Sequence, residues 1–252
     1  LQEAPGRKVQ SLRLSSFDAW IKLYRPDENS VNTAMSYYTK GAAVAFLLDA
    51  KIRELTQDKR NLDDVMRLAY KRYSGSKGYT EDQFRAVVEE VAGASLGSFF
   101  GDYVDGLKEL DYKPALAYYG LRFKAPAKPD SKNPEAGYLG VGLALKEGRL
   151  TVASVKRETP AYEAGVNVDD EILAINEFRV ANDKVERLDE RLKQYAPGTT
   201  VTLLVSRREK LIKLPVRLAK KPTATWVLEV DPAATAEAQR RRASWLGPDL
   251  KS

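Results

Sequence analysis

Two periodicities divide the chain. Up to about residue 120, apolar positions recur at helical spacing. From Tyr138 onward they alternate, with turn residues between the runs. In the first region Asn32 or Thr33 can cap a helix running to about Thr56, and its middle, Gly41–Leu48, is apolar almost all round, which predicts burial on most sides. A second helix follows Asn61, with Leu62, Val65, Met66, Ala69 and Tyr73 on its stripe. Thr80 opens a third, with Gln83 placed for a capping box and Gly93 as its stop. Leu96–Val104 reads as a fourth, short helix and Tyr112–Tyr119 as a fifth; no strand pattern occurs before about Leu121. Three prolines within 125–134 then mark an extended connector.

In the second region Val201, Leu203 and Val205 alternate with polar neighbours. Arg207–Lys210 makes a turn, and Ile212, Leu214, Val216 and Leu218 form the return strand. Pro215 lacks an N–H, so its strand is expected at an edge or with that position pointing outward. Two helical stretches interrupt the strands: Pro160–Ala164, closed by Gly165, and about Lys184–Tyr195, with Val185, Leu188 and Leu192 on one face. The pattern predicts a small, partly open β-barrel with two helices. Beyond it, Trp226–Val230 reads as a strand. Asp231, with Pro232 after it, is placed to cap a helix over Ala233–Trp245, docked through Trp245 and Leu246. The fold class expected is therefore multidomain α plus β: helical array 1–124, linker 125–135, barrel 136–219 and extension 220–252.

Composition excludes more than it assigns. The 252 residues include no His and no Cys. Disulfides, thiolate chemistry, Ser-His-Asp relays and His- or Cys-ligated zinc are impossible with these residues alone. The net charge of +6 is spread thinly, +3 over 1–133, +1 over 134–218 and +2 over 219–252. A nucleic-acid surface concentrates such a surplus, so no nucleic-acid partner is expected. No apolar run is long enough to span a bilayer, so no membrane association is expected. The Gly137, Gly140 and Gly142 spacing has the wrong order for a dinucleotide loop. The pairs Asp63–Asp64 and Asp169–Asp170 sit where helix starts and turns favour acids. Leu1–Gln10 has no signal-like core, and the chain reads as a piece of a longer product. Absence of cysteine fits bacterial cytoplasm or periplasm equally.

Particular motifs sharpen this picture. Gly137-Tyr138-Leu139-Gly140-Val141 resembles the carboxylate-binding loop of bacterial PDZ domains. Thr159–Val166 followed by Asp170–Asn176, and Pro197-Gly198-Thr199, resemble the rest of that pattern in order. Asp169 and Glu177 replace glycines at turn positions that often take positive φ, so those turns are expected to be reshaped. The resemblance implies that backbone N–H groups of Leu139, Gly140 and Val141 face the carboxylate of a peptide or protein C-terminus. The peptide would add as a strand beside Val141–Leu143, against the second helix. Leu188 and Leu192 are the expected apolar wall; filling the barrel core is an equally good reading of both.

The helical region is similar to the part of the glycyl aminopeptidase family that follows its zinc site. The matching residues are Ser16–Lys22, Tyr24–Ser30, Ser36–Gly41, Leu62–Arg67, Gly78–Thr80, Phe99–Val104 and Leu110–Tyr112. These are PDZ-bearing metallopeptidases of the thermolysin-like clan, and the resemblance implies a helical subdomain of that type. It implies that zinc belongs to the full-length protein, with its ligands before Leu1 in a missing N-terminal catalytic domain. No metal ligand is assigned here, and the chain alone is expected not to hydrolyse peptides by the family mechanism. In related enzymes the Tyr of a Y-x-K-G motif hydrogen-bonds the oxyanion of the intermediate, a role the resemblance carries onto Tyr38 of Tyr38-Thr39-Lys40-Gly41. The plainer reading is that Tyr38 packs on its helix. Asp27 or Glu28 could meet a substrate amine, although a solvated loop is the simpler expectation. The rival function is a non-enzymatic PDZ adaptor with a helical scaffold.

Overall fold

The computed structural model describes residues 1–125, 136–180, 186–222 and 226–246, with Glu186 and Arg187 as backbone only. The expected connector therefore lies, from residue 126 on, outside the described residues, as do Lys184 and Val185.

The chain opens with a 3-10 turn, Pro5–Lys8, and three short helices, α1 (Leu12–Phe17), α2 (Ala19–Lys22) and α3 (Ser30–Thr33). The long helix α4 spans Tyr37–Thr56, and its start corrects the expected cap at Asn32 or Thr33. Ala34 is extended at ψ 152°, and the next peptide is held from a distance. Gln10 Oε1 accepts from the Met35 N–H at 3.0 Å, and the buried Ser15 hydroxyl donates to the Met35 carbonyl. Ser36 becomes the cap. A helical reading of Ala34 and Met35 fails because tertiary hydrogen bonds outbid the local i→i−4 bonds.

The helices α5 (Leu62–Tyr73) and α6 (Glu81–Ala92) both begin with reciprocal capping boxes, Asn61 with Asp64 and Thr80 with Gln83. Gly93 closes α6 in the left-handed region. The expected fourth helix is α7 (Gly97–Phe100), continued by a wider π turn over Gly101–Asp105, and α8 covers Lys113–Tyr118. Val65, Val87 and Val88 are fully buried in one apolar cluster of this region; Val44, Leu47 and Tyr119 belong to a second. Asp49 ties the clusters together, accepting from Arg53 Nε, the Leu62 N–H and the Tyr119 hydroxyl at 2.8–2.9 Å.

The short strand β1 (Leu121–Phe123) leads out of the helical region. The barrel that follows comprises β2 (Gly137–Tyr138), β3 (Val141–Lys146), β4 (Arg149–Val155), α9 (Pro160–Glu163), β5 (Glu171–Ile175), β6 (Phe178–Arg179), α10 (Glu186–Leu192), β7 (Thr200–Arg207), β8 (Lys210–Arg217) and β9 (Ala219–Lys220). The main sheet is antiparallel in the order β3-β4-β5-β7-β8, with β6 paired to β5 and a separate β2–β9 ladder. Leu150, Ile172, Leu203 and Val205 are among the fully buried members of its single apolar cluster. Pro215 lies on β8, at the sheet edge, as its missing N–H requires. Asp169 takes φ 67°, but at the next turn it is Asn176, not Glu177, that is left-handed, at φ 53°. The Asn side chain tolerates that region and is fixed there, its Oδ1 accepting from the Thr202 N–H at 2.9 Å.

The chain then returns. Strand β10 (Leu228–Val230) pairs antiparallel with β1. Helix α11 is Ala236–Leu246, capped by Thr235, whose Oγ1 accepts from the Ala238 N–H at 3.1 Å. Asp231, the expected cap, instead closes a preceding turn through the Ala233 N–H. Trp245 stacks on Tyr119 at 4.7 Å and lies 5.5 Å from the Phe46 ring, so the tail packs on the helical region.

Candidate functional site

Two features stand out, one in each region. The first is built around the start of α4. Because Ser36 is the cap, Tyr37 and Tyr38 occupy the first helical turn, beside the positive end of the helix dipole. The Tyr24 hydroxyl, on the chain just after α2, lies 2.8 Å from the Tyr38 hydroxyl and 3.2 Å from that of Tyr37. The Tyr37 and Tyr38 rings are 4.1 Å apart, and Trp20 packs on Tyr24 at 5.2 Å. Hydrogen bonding from Tyr24 holds the Tyr38 phenol below its ordinary pKa, and the same network pushes Tyr37 up. Either hydroxyl can donate in the Tyr24–Tyr38 bond; when Tyr24 donates, the Tyr38 proton is free to be given to another acceptor, on a side chain that is 60% exposed. Nothing in the spacing of Tyr24 and Tyr38 announces this pairing; only the family resemblance singled out both stretches.

Lys40, two residues further on, is buried, and burial pulls its ammonium below the usual lysine range while Glu109 pulls it back. Asp27 is occupied locally: its Oδ1 accepts from the Ser30 hydroxyl at 2.8 Å and the Asn29 N–H at 3.0 Å, and these bonds lower its pKa, with the Ser30 bond the largest cause. Around the tyrosines lies an exposed aromatic and aliphatic surface in which Phe17 is 85% and Trp20 78% exposed, with Ile21 beside them.

The second feature is a groove of about 420 Å³ between β3 and α10. Strand β3 ends the sheet order, so its outer edge is available for an added strand. Leu139, Gly140, Val141 and Leu143 line one side and Leu188 and Leu192 the other. Leu188 and Leu192 also belong to the buried barrel cluster, so each serves core and groove together. Gly140 sits at φ 84°, and a Cβ there would lie 2.2 Å from that of Thr159, so only glycine fits. The loop is held from behind: the Ala161 N–H donates to the Leu139 carbonyl at 2.9 Å and the Lys156 N–H to that of Gly140 at 3.3 Å.

The two features are joined through one side chain. Asn32 of α3, buried, donates from Nδ2 to the Val155 carbonyl at 2.9 Å and accepts at Oδ1 from the Arg157 N–H at 2.7 Å. Lys8 adds an exposed ion pair with Glu158 at 2.7 Å. Sequence reading missed Asn32 as a bridge, having taken it only as a helix cap.

A zinc site does not fit these residues. The chain lacks His and Cys, and among the described residues no three His, Cys, Asp or Glu side chains converge to hold a metal. Nor, among the described residues, is any helix long and apolar enough to cross a membrane.

The structure thus sets an open-edged barrel, with a groove closed at Gly140, against a helical array that exposes a phenol cluster, the two fastened through Asn32. Comparison with known proteins finds a peptidase-associated stretch in the first region and a PDZ domain in the second. The sequence model of the PDZ domain matches residues 137–218, and that of the M61 glycyl aminopeptidase matches residues 1–44. The chain thus carries a short stretch similar to the M61 glycyl aminopeptidase family and, after it, a segment similar to a PDZ domain. Among solved structures it is similar to an aminopeptidase N family protein from Idiomarina loihiensis, at 27% identity and a TM-score of 0.79. That match covers 98% of this chain and 42% of the other, so the chain spans less than half the length of that relative. A serine endoprotease from Yersinia pestis matches 36% of this chain and 31% of its own length, at 26% identity and a TM-score of 0.31. No curated protein matches the chain.

Proposed function

We propose that this chain is the C-terminal part of a zinc-dependent aminopeptidase. Its helical region forms one wall of the substrate cleft, and its PDZ groove holds a peptide strand. The metal and its ligands belong to residues outside this chain. Tyr38 carries the reading: an exposed phenol in the first turn of a helix, hydrogen-bonded by Tyr24 and lowered in pKa. A donor of that kind strengthens as negative charge develops on a substrate oxygen, so it binds the transition state better than the ground state. The exposure of Phe17, Trp20 and Ile21, three large apolar side chains within five residues of chain, supports the same reading, because exposed apolar surface of this kind marks a face that another unit covers.

The test is Tyr38→Phe in the full-length protein. Loss of one oxyanion donor lowers kcat about 10²–10³-fold, with zinc content and KM essentially unchanged. Undiminished kcat would remove Tyr38 from the chemistry. The adaptor reading has one observation in its favour, a groove that is complete without any contribution from the tyrosines. It requires that the full-length protein bind no stoichiometric zinc and still bind peptides.

A further inference from the structure

The connection between β4 and α9, Lys156–Thr159, is held on two sides. On one side it backs the groove. The Lys156 N–H donates to the Gly140 carbonyl at 3.3 Å, the Thr159 side chain fills the space behind Gly140, and Val141 of β3 is the register partner of Val155. The Thr159 hydroxyl donates to the Lys156 carbonyl at 2.6 Å, which ties the connection across itself. On the other side it is gripped by the helical region. The Asn32 side chain meets Val155 and Arg157 as a neighbouring strand would, donating to the first residue's carbonyl and accepting from the second one's N–H. Its Nδ2 also donates to Asn29 Oδ1 at 3.0 Å, so every polar atom of an amide only 3% exposed is engaged. Next to this grip Glu158 stands at φ 62°, a conformation that persists in such a residue only where its surroundings hold it, and it pairs with Lys8 of the same helical region.

Neither Asn32 nor Lys8 belongs to the barrel's apolar cluster. What they fix is the place of the connection, and through it the place of the Gly140 loop. Binding groups work only when held to within about 0.5 Å of the productive geometry. We propose that Asn32 is a positioning residue for the groove: by gripping the β4–α9 connection it sets the Gly140 loop, so that the groove takes a peptide carboxylate tightly only while the helical region holds it. The inference rests on the peptide-binding reading of the groove and adds that its affinity is set from the other region. By linkage, a seated peptide tightens the grip in return.

The experiment uses the 252-residue chain and a short labelled apolar peptide with a free carboxylate, with its amidated twin as control, in fluorescence anisotropy at about pH 8 and about pH 5. The peptide carboxylate stays ionised across that range. Asn32→Asp keeps an acceptor for the Arg157 N–H and replaces the donor to the Val155 carbonyl by an anion. At the higher pH this variant is expected to bind the free-carboxylate peptide about tenfold more weakly than wild type, inside the usual span of coupling between sites. Burial raises the new carboxyl's pKa, and protonation at the lower pH returns an O–H donor, so most of the loss is expected to be recovered. The other charged groups bordering this point are Glu28 on the helical side and Asp169, Arg207 and Arg208 on the barrel, together with Arg157. All of them are present in wild type, whose own change between the two pH values is the reference. Asn32→Ala is expected to bind weakly at both. Equal affinity in wild type and Asn32→Ala overturns the positioning role and leaves the groove reading standing. So does a loss in Asn32→Asp that the lower pH does not reverse, which reports damage to the fold rather than a missing donor. An amidated twin bound as tightly as the free peptide removes the Gly140 loop from recognition and the inference with it. If wild type binds neither peptide, both readings fall.

Discussion

The two regions spend their apolar residues differently. The barrel gathers Leu150, Ile172, Leu203, Leu188 and their neighbours into one cluster and leaves few large apolar side chains in water. The helical region splits its interior into two clusters and still exposes Phe17, Trp20, Ile21, Tyr24 and Tyr38, of which Trp20 packs on Tyr24 and Tyr24 meets Tyr38. A closed core is the mark of a unit that folds on its own account. An uncovered patch around hydrogen-bonded phenols is the mark of a surface whose work is done against something else. Under the proposed function, the contrast assigns a ligand strand to the first region and a larger covering unit to the second.

The sharpest way to break the contrast is to damage the barrel alone. Asp170 is fully buried, paired through both oxygens with Arg207 at 2.7 Å, and accepts from the Asn167 N–H at 2.8 Å. Asp170→Ala strands the guanidinium and that N–H, and a loss of about 3–5 kcal/mol is expected. Calorimetry should show one transition moving down while that of the helical region stays. A single transition moving as a whole would mean that the regions are not separate cooperative units.

A smaller effect is expected at the joint. Asn32→Ala leaves the Val155 carbonyl and Arg157 N–H without their partner, at a cost of about 1–3 kcal/mol. The barrel's own melting should be nearly unchanged, whereas limited proteolysis of the full chain should accelerate between the regions. Equal proteolysis rates would show that the Lys8–Glu158 pair and the β1–β10 ladder suffice to hold them.

The smallest effect sharpens the helical side. Tyr38 donates only while protonated, and its pKa is held below the ordinary 10.0 chiefly by the Tyr24 hydrogen bond. Activity of the full-length protein should therefore fall as pH rises through that lowered value. Tyr24→Phe removes the bond, raises the Tyr38 pKa and should shift the alkaline limb of kcat to higher pH. An unmoved limb would assign it to another group.

Much of the local structure was legible. The capping boxes at Asn61 and Thr80 act across three residues, and the hairpin that joins β7 to β8 is specified by alternation and a short turn. The start of α4 was misplaced because Gln10 and Ser15 decide it from 25 and 20 residues away. The choice between Asn176 and Glu177 at positive φ was missed because the Thr202 N–H, 26 residues on, holds the Asn side chain. The pairing of β1 with β10 spans more than a hundred residues, and no pattern within either strand identifies its partner.

By itself the sequence determined the order of a helical array and a groove-bearing barrel, the glycine at position 140 and the absence of imidazole and thiol ligands. Each rests on short-range sterics, periodicity or plain composition. Only the tertiary structure decided that Tyr24 meets Tyr38, that Asn32 fastens one region to the other, and that the connection it grips backs Gly140. Those juxtapositions depend on closing long loops, and what closes them is burial of apolar surface summed over many side chains, which no local stretch of chain records.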